Sequence, residues 1–167
     1  MSLLQREEAY REKALTSTQK LAVSGLVMAV YIVVMYFTQS FAFGAYQIRI
    51  ATALYALAWI HPFLALPLSL ANCLSNMLMG GLGIFDTLGG VIVGLVTTGC
   101  IIGIRRLRLP RWLCGAAIVV CISLVCATWL SHILGIPYPA MALNLFVGEL
   151  IPGIVGVLLI QALKGLI

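Results

Sequence analysis

Six apolar runs, at 21–39, 47–60, 62–78, 87–104, 112–134 and 141–163, fill nearly all of the chain after its first twenty residues. A membrane-crossing α-helix needs about 20 predominantly apolar residues, and fewer where it is broken. The pattern therefore predicts an all-α, polytopic membrane protein with six transmembrane helices. Only 9% of the 167 residues are charged while 62% are hydrophobic, which leaves too little polar surface to cover a water-soluble core. The second run is the shortest, and Pro62 ends it by disfavouring helical geometry in the residue before.

Charge distribution sets the expected orientation. With six spans, Arg6, Arg11, Lys13, Lys20, Arg105, Arg106, Arg108, Arg111 and Lys164 fall on one side and Arg49 alone on the other. Basic residues collect on the cytoplasmic side, so the N- and C-termini are both expected to be cytoplasmic. The net charge of +5 then reflects topology and anionic inner-leaflet lipid, with no nucleic acid implied. Residues 1–20 read as a cytoplasmic N-terminal segment, a charged surface helix or a frayed tail. They lack the apolar core of a cleavable signal, and 21–167 form a single membrane domain.

The five cysteines (Cys73, Cys100, Cys114, Cys121, Cys126) lie inside apolar runs without CxxC spacing, and read as small buried hydrophobes. No metal site or cofactor is expected. In the first run Ala22, Gly25 and Ala29 share one helix face. Such a small-residue face admits another helix closely, either within the subunit or on an external partner. Position in the cytoplasmic half of a terminal helix favours the partner.

Polar residues are scarce and gather toward the outer side. Tyr46, Gln47, Arg49 and Thr52 follow the first run, and Arg49 either snorkels to lipid phosphate or meets a solute. Asn72 and Asn76 share a face of the third run, and amides there join helices or contact a solute. Asp86 is placed to cap the fourth helix. Gly90/Gly94 and Gly99/Gly103 predict tight packing along that helix. Ser131 and His132 lie near the outer end of the fifth run, and residues 135–139 form the last outer loop. Asn144 and Glu149 lie in the sixth, where a carboxylate is costly unless paired or solvated. Glu149 is either part of a solute site or a structural partner of Arg49. Pro152 frees a backbone carbonyl nearby. The glycine loop 80–83 lacks the ending of a phosphate-binding P-loop, and no acid-rich or HxxxH-type motif of a membrane enzyme is present.

Three motifs resemble one family: Phe43-Gly44-x-x-Gln47-x-Arg49-Ile50-x-x-Ala53-Leu54, Asn76…Gly81-Leu82-Gly83-x-x-Asp86, and Gly148-Glu149-Leu150. They resemble the QueT-type substrate-binding S components of energy-coupling factor (ECF) importers. The resemblance implies a six-helix binding subunit of the bacterial plasma membrane with no enzymatic activity of its own. It would dock on an EcfT-type coupling membrane protein powered by two cytoplasmic ATPases. Ala22, Gly25 and Ala29 would make that contact. Tyr46, Gln47, Arg49, Thr52, Asn76, Asp86, His132, Asn144 and Glu149 would line the solute site. Family members commonly carry Ser-Glu where this chain has Ala51-Thr52, an acid suited to the aminomethyl cation of a deazaguanine queuosine precursor. Its absence, with Trp129, Tyr46 and Tyr138 near the mouth, tilts the expected ligand narrowly to cobalamin or a related corrinoid over a queuosine precursor.

Overall fold

The computed structural model describes residues 15–43, 47–79 and 82–163, and every regular element among them is helical. Five α-helices are α1 (Ser17–Ala42), α2 (Ala65–Leu78), α3 (Ile84–Arg106), α4 (Trp112–Leu134) and α5 (Tyr138–Leu163). Between α1 and α2 run a ten-residue 3₁₀ helix (Ile50–Trp59) and a short 3₁₀ turn (Pro62–Leu64). The helices α1, α3, α4 and α5 are long and apolar enough to cross a membrane, whereas Ile50–Trp59 and Pro62–Leu78 are shorter. All six expected runs are helical, but length and composition identify four as spans. Large apolar side chains such as Leu26, Phe37, Phe85, Ile92 and Leu143 are exposed on the outside, as lipid-facing surface requires.

The segments alternate in direction along one axis. At one end Lys20, near the start of α1, lies 6.0 Å from the centre of the Phe63 ring. At that same end Arg105, finishing α3, donates through Nη1 to the carbonyls of Trp59 (2.7 Å) and Ile60 (2.9 Å). At the opposite end Arg49 meets Asp86 of α3 and Asn76 of α2, while the Ile48 N–H bonds the Phe41 carbonyl that closes α1. The start of α1 and the finish of α5 lie toward the Arg105 end.

The 3₁₀ helix is the centre of the bundle. Ala51, Thr52, Ala53, Tyr55, Ala56 and Ala58 are all buried. Such helices seldom exceed one turn or so, but they rise about 2.0 Å per residue. Ten residues therefore reach about 20 Å, against about 15 Å for an α-helix of equal length. Alanine at four of the ten positions keeps this rod thin, and α5 presses Gly156 onto it: a Cβ there would lie 3.1 Å from the Ala53 carbonyl. The Arg105 guanidinium satisfies the carbonyls that the rod leaves open at its end.

Helix boundaries depart from the expected runs for local reasons. Thr16 and Gln19 form a capping box that starts α1 before residue 21, with Thr16 N–H donating to Gln19 Oε1 (2.9 Å). The expected outer loop at 135–139 is shorter, because Gly135 (φ 66) ends α4 and α5 already begins at Tyr138 with Pro139 in its first turn. α5 continues unbroken through Pro152. Of the glycines on α3, Gly90 and Gly94 pack against α2, a Cβ on Gly94 falling 2.7 Å from Ser69 Cα. Gly99 and Gly103 meet nothing, so the tight packing expected along the whole helix holds for its first half only. Cys114 and Cys126 are buried as expected, whereas Cys100 is exposed on the outward side of α3. The charged segment 1–14 lies outside the described residues.

Gly115→Ala would place a Cβ 2.7 Å from the Gly153 carbonyl across the α4–α5 contact; thermal unfolding in detergent should show a loss of about 1–3 kcal/mol. Gly99→Ala, with open space around it, should be neutral or gain up to about 1 kcal/mol. Arg105→Met strands two carbonyls and should cost roughly 1.5–3 kcal/mol by the same measurement.

Candidate functional site

Polar side chains come together at the Arg49 end, where the 3₁₀ helix begins. Gln47 holds a left-handed backbone (φ 46), an uncommon conformation for a residue with a Cβ. Gln47 and Arg49 are buried, at 8% and 5% exposure. Arg49 Nη1 donates to Asn76 Oδ1 (3.2 Å), and Nη2 lies 3.7 Å from Asp86 Oδ2. The Phe43 ring sits 5.2 Å from the guanidinium carbon, giving the cation an aromatic face. Asn76 is fixed in turn by donating from Nδ2 to the Asp86 backbone carbonyl (3.0 Å).

Asp86 is not the cap of its helix. Gly83 holds that position (φ 93) without a side-chain bond, and Asp86 stands in the first turn. Its Oδ1 accepts from Trp129 Nε1 (3.2 Å) and its Oδ2 from the Leu82 N–H (3.3 Å). The carboxylate thereby ties α3 to α4 and neutralises Arg49. Trp129 is further held against Gly89, where any Cβ would fall 2.6 Å from the indole.

Glu149 is not the partner of Arg49, since Arg49 forms its ion pair with Asp86. It projects from α5 toward the 3₁₀ helix and is fully buried. The Thr52 hydroxyl lies 2.7 Å from Glu149 Oε2 and 2.7 Å from the Arg49 carbonyl. One hydroxyl proton can serve only one of these two acceptors. The other oxygen, Oε1, is buried with no hydrogen-bond partner among the described residues. Deeper in, Asn72 Nδ2 donates to the Tyr55 hydroxyl (2.8 Å) and to the Gly90 carbonyl (3.2 Å), and Tyr55 stacks on Tyr31 with ring centres 6.0 Å apart. Asn72 is thus an amide that joins helices, one of the two roles open to it from sequence.

The fold brings together Gln47, Arg49, Thr52, Asn76, Asp86 and Glu149. It leaves His132 exposed near the end of α4, with Nδ1 2.8 Å from the Thr128 carbonyl of its own helix. Asn144 is half-buried on α5, nearer its start than Glu149. Tyr46 lies outside the described residues. Ala22, Gly25 and Ala29 are exposed, and none of the described residues lies within 4 Å of a Cβ built on Gly25, so this face packs against none of them there. Sequence reasoning did not anticipate Trp129 as the partner of Asp86 or Phe43 as that of Arg49. An indole near the end of one apolar run and an acid opening another was the available signal, because a buried Trp N–H seeks an acceptor.

The cluster offers a compensated ion pair, amides, aromatic faces and one carboxyl oxygen without a donor among the described residues. Among the described residues no three His, Cys, Asp or Glu side chains gather to hold a metal ion. A family profile, that of the QueT transporter, matches residues 21–165, nearly the whole chain. No curated protein and no solved structure matches it.

Asp86→Ala would leave the Arg49 charge buried without its counter-ion. The expected cost is on the order of 3–5 kcal/mol in thermal or denaturant unfolding; a loss below about 1 kcal/mol would show that the pair is not buried as described.

Proposed function

The chain belongs to the QueT transporter family, and from that premise we propose that it is the S component of an ECF importer for a deazaguanine queuosine precursor. In this reading the chain crosses a bacterial plasma membrane six times with both termini cytoplasmic. The Arg49 end faces outward to capture the solute, and the Arg105 end faces the cytoplasm. The observation that carries the reading is the buried polar cluster at the end of the bundle remote from Lys20 and Arg105. Ionisable side chains this scarce and this deeply placed in a membrane bundle mark a solute path or site by default.

The sequence-based preference for a corrinoid loses its motive. It rested on the missing acid at Thr52, yet α5 brings the Glu149 carboxyl to 2.7 Å from the Thr52 hydroxyl. An acid is available at that point of the site after all, and a queuosine precursor is also what the family description favours.

The exposed face of Ala22, Gly25 and Ala29 supports docking on an EcfT-type coupling protein, with two ATPases supplying the energy. Transport would follow from a population shift in which the loaded subunit engages the coupling complex and releases its cargo inside. Ligand binding by the isolated subunit should need no ATP.

Gly25→Leu should abolish co-purification with the coupling protein and its ATPases while leaving ligand affinity within about twofold, since none of the described residues touches that position. Arg49→Ala should do the reverse, losing roughly 30-fold or more in affinity by titration calorimetry while still assembling. Parallel losses of affinity in both variants would dissolve the division between docking face and binding end.

A further inference from the structure

We infer that Glu149 receives a positively charged group of the ligand and so selects cationic over neutral members of the ligand class, an inference that rests on the substrate-binding role proposed above. Two carboxyl groups lie in the cluster, and they are employed differently. Both oxygens of Asp86 are engaged, by Trp129 and Leu82, and Arg49 balances its charge. Glu149 makes no salt bridge among the described residues. Its Oε2 shares a single hydroxyl proton with the Arg49 carbonyl, and its Oε1 has no donor among the described residues.

Such a group is expensive. A fully buried carboxyl with one oxygen lacking a donor among the described residues forfeits solvation that a single shared hydroxyl returns only in part. α5 nevertheless holds it at zero exposure beside the polar cluster at the Arg49 end. Asp86 has both of its oxygens engaged from within, by Trp129 and Leu82, and Glu149 does not. The open oxygen calls instead for a donor from outside the chain, and for an oxygen of an acid the strongest donor is an ammonium, through a charge-assisted bond. Arg49 cannot supply it, being held by Asp86, Asn76 and the Phe43 ring. A neutral ligand with no proton at that point would leave Oε1 without a donor.

The experiment compares two probes that differ at one substituent, an aminomethyl-deazaguanine and its cyano counterpart, on the full-length protein in detergent or nanodiscs by titration calorimetry. The unaltered protein should bind the aminomethyl probe at least about tenfold more tightly, and in Glu149→Gln the affinities for the two probes should differ by no more than about twofold. Equal affinity of the unaltered protein for both probes overturns the inference and leaves the S-component reading standing; this comparison needs no variant, so it decides even where Glu149→Gln does not fold. Full retention of the preference in folded Glu149→Gln overturns it too. Binding of neither probe overturns the ligand class and this inference together.

Discussion

A guanidinium buried among helices is the constraint from which the rest of the structure follows. Taking Arg49 out of water costs several kcal/mol unless its hydrogen bonds and its charge are both met. Here the debt is met by three elements at once: Asn76 from α2, Asp86 from α3 and Phe43 beyond α1. Each partner is itself held, Asn76 by the Asp86 carbonyl and Asp86 by Trp129 and Leu82. The network thus pins the ends of four α-helices around the first turn of the 3₁₀ helix. In a low-dielectric interior such a network is strong when complete and costly when broken.

The two ends of the bundle divide the work of charge. Toward Arg105 the basic groups sit at the rim, where they suit an anionic surface, and the one turned inward closes the 3₁₀ helix. Toward Arg49 the cation is buried and paired, and the unpaired group is an acid. Between the ends the buried polar side chains are neutral, as with Asn72 and Tyr55, and close approach is set by Gly94, Gly115, Gly153 and Gly156. Where lipid is as apolar as the side chains, such close backbone contact replaces the hydrophobic drive that holds soluble helices together.

How much of this the sequence disclosed varies with the physical range of each feature. Apolar run length and lysine–arginine bias are local sums, so the helical class, the six segments and the grouping of basic residues at one end were legible. α4 was read with its observed bounds. The winding of the second segment was not legible, because ten apolar residues look alike as α or 3₁₀ and only the distance between Arg49 and Arg105 distinguishes them. Among site residues, Gln47, Arg49, Thr52, Asn76, Asp86 and Glu149 were recognised because each is a polar group where polarity is expensive. His132 was drawn in by the same reasoning, yet its ring turns to its own helix at the surface. Pairing was the part that failed: whether Arg49 meets Asp86 or Glu149 depends on helix rotation, which a hydrophobic pattern this uniform does not encode.

The central rod is tethered at both ends, by the Arg49 network before its first turn and by the Arg105 guanidinium after its last. One residue added to or removed from Ile50–Trp59 would slide the chain by about 2 Å and rotate every later side chain by a third of a turn. Neither anchor has slack to absorb that, since one is a buried ion pair and the other a forked bond to two successive carbonyls. The stretch should therefore tolerate exchange among small residues but no change of length, behaving as a gauge block that sets the spacing between the two faces.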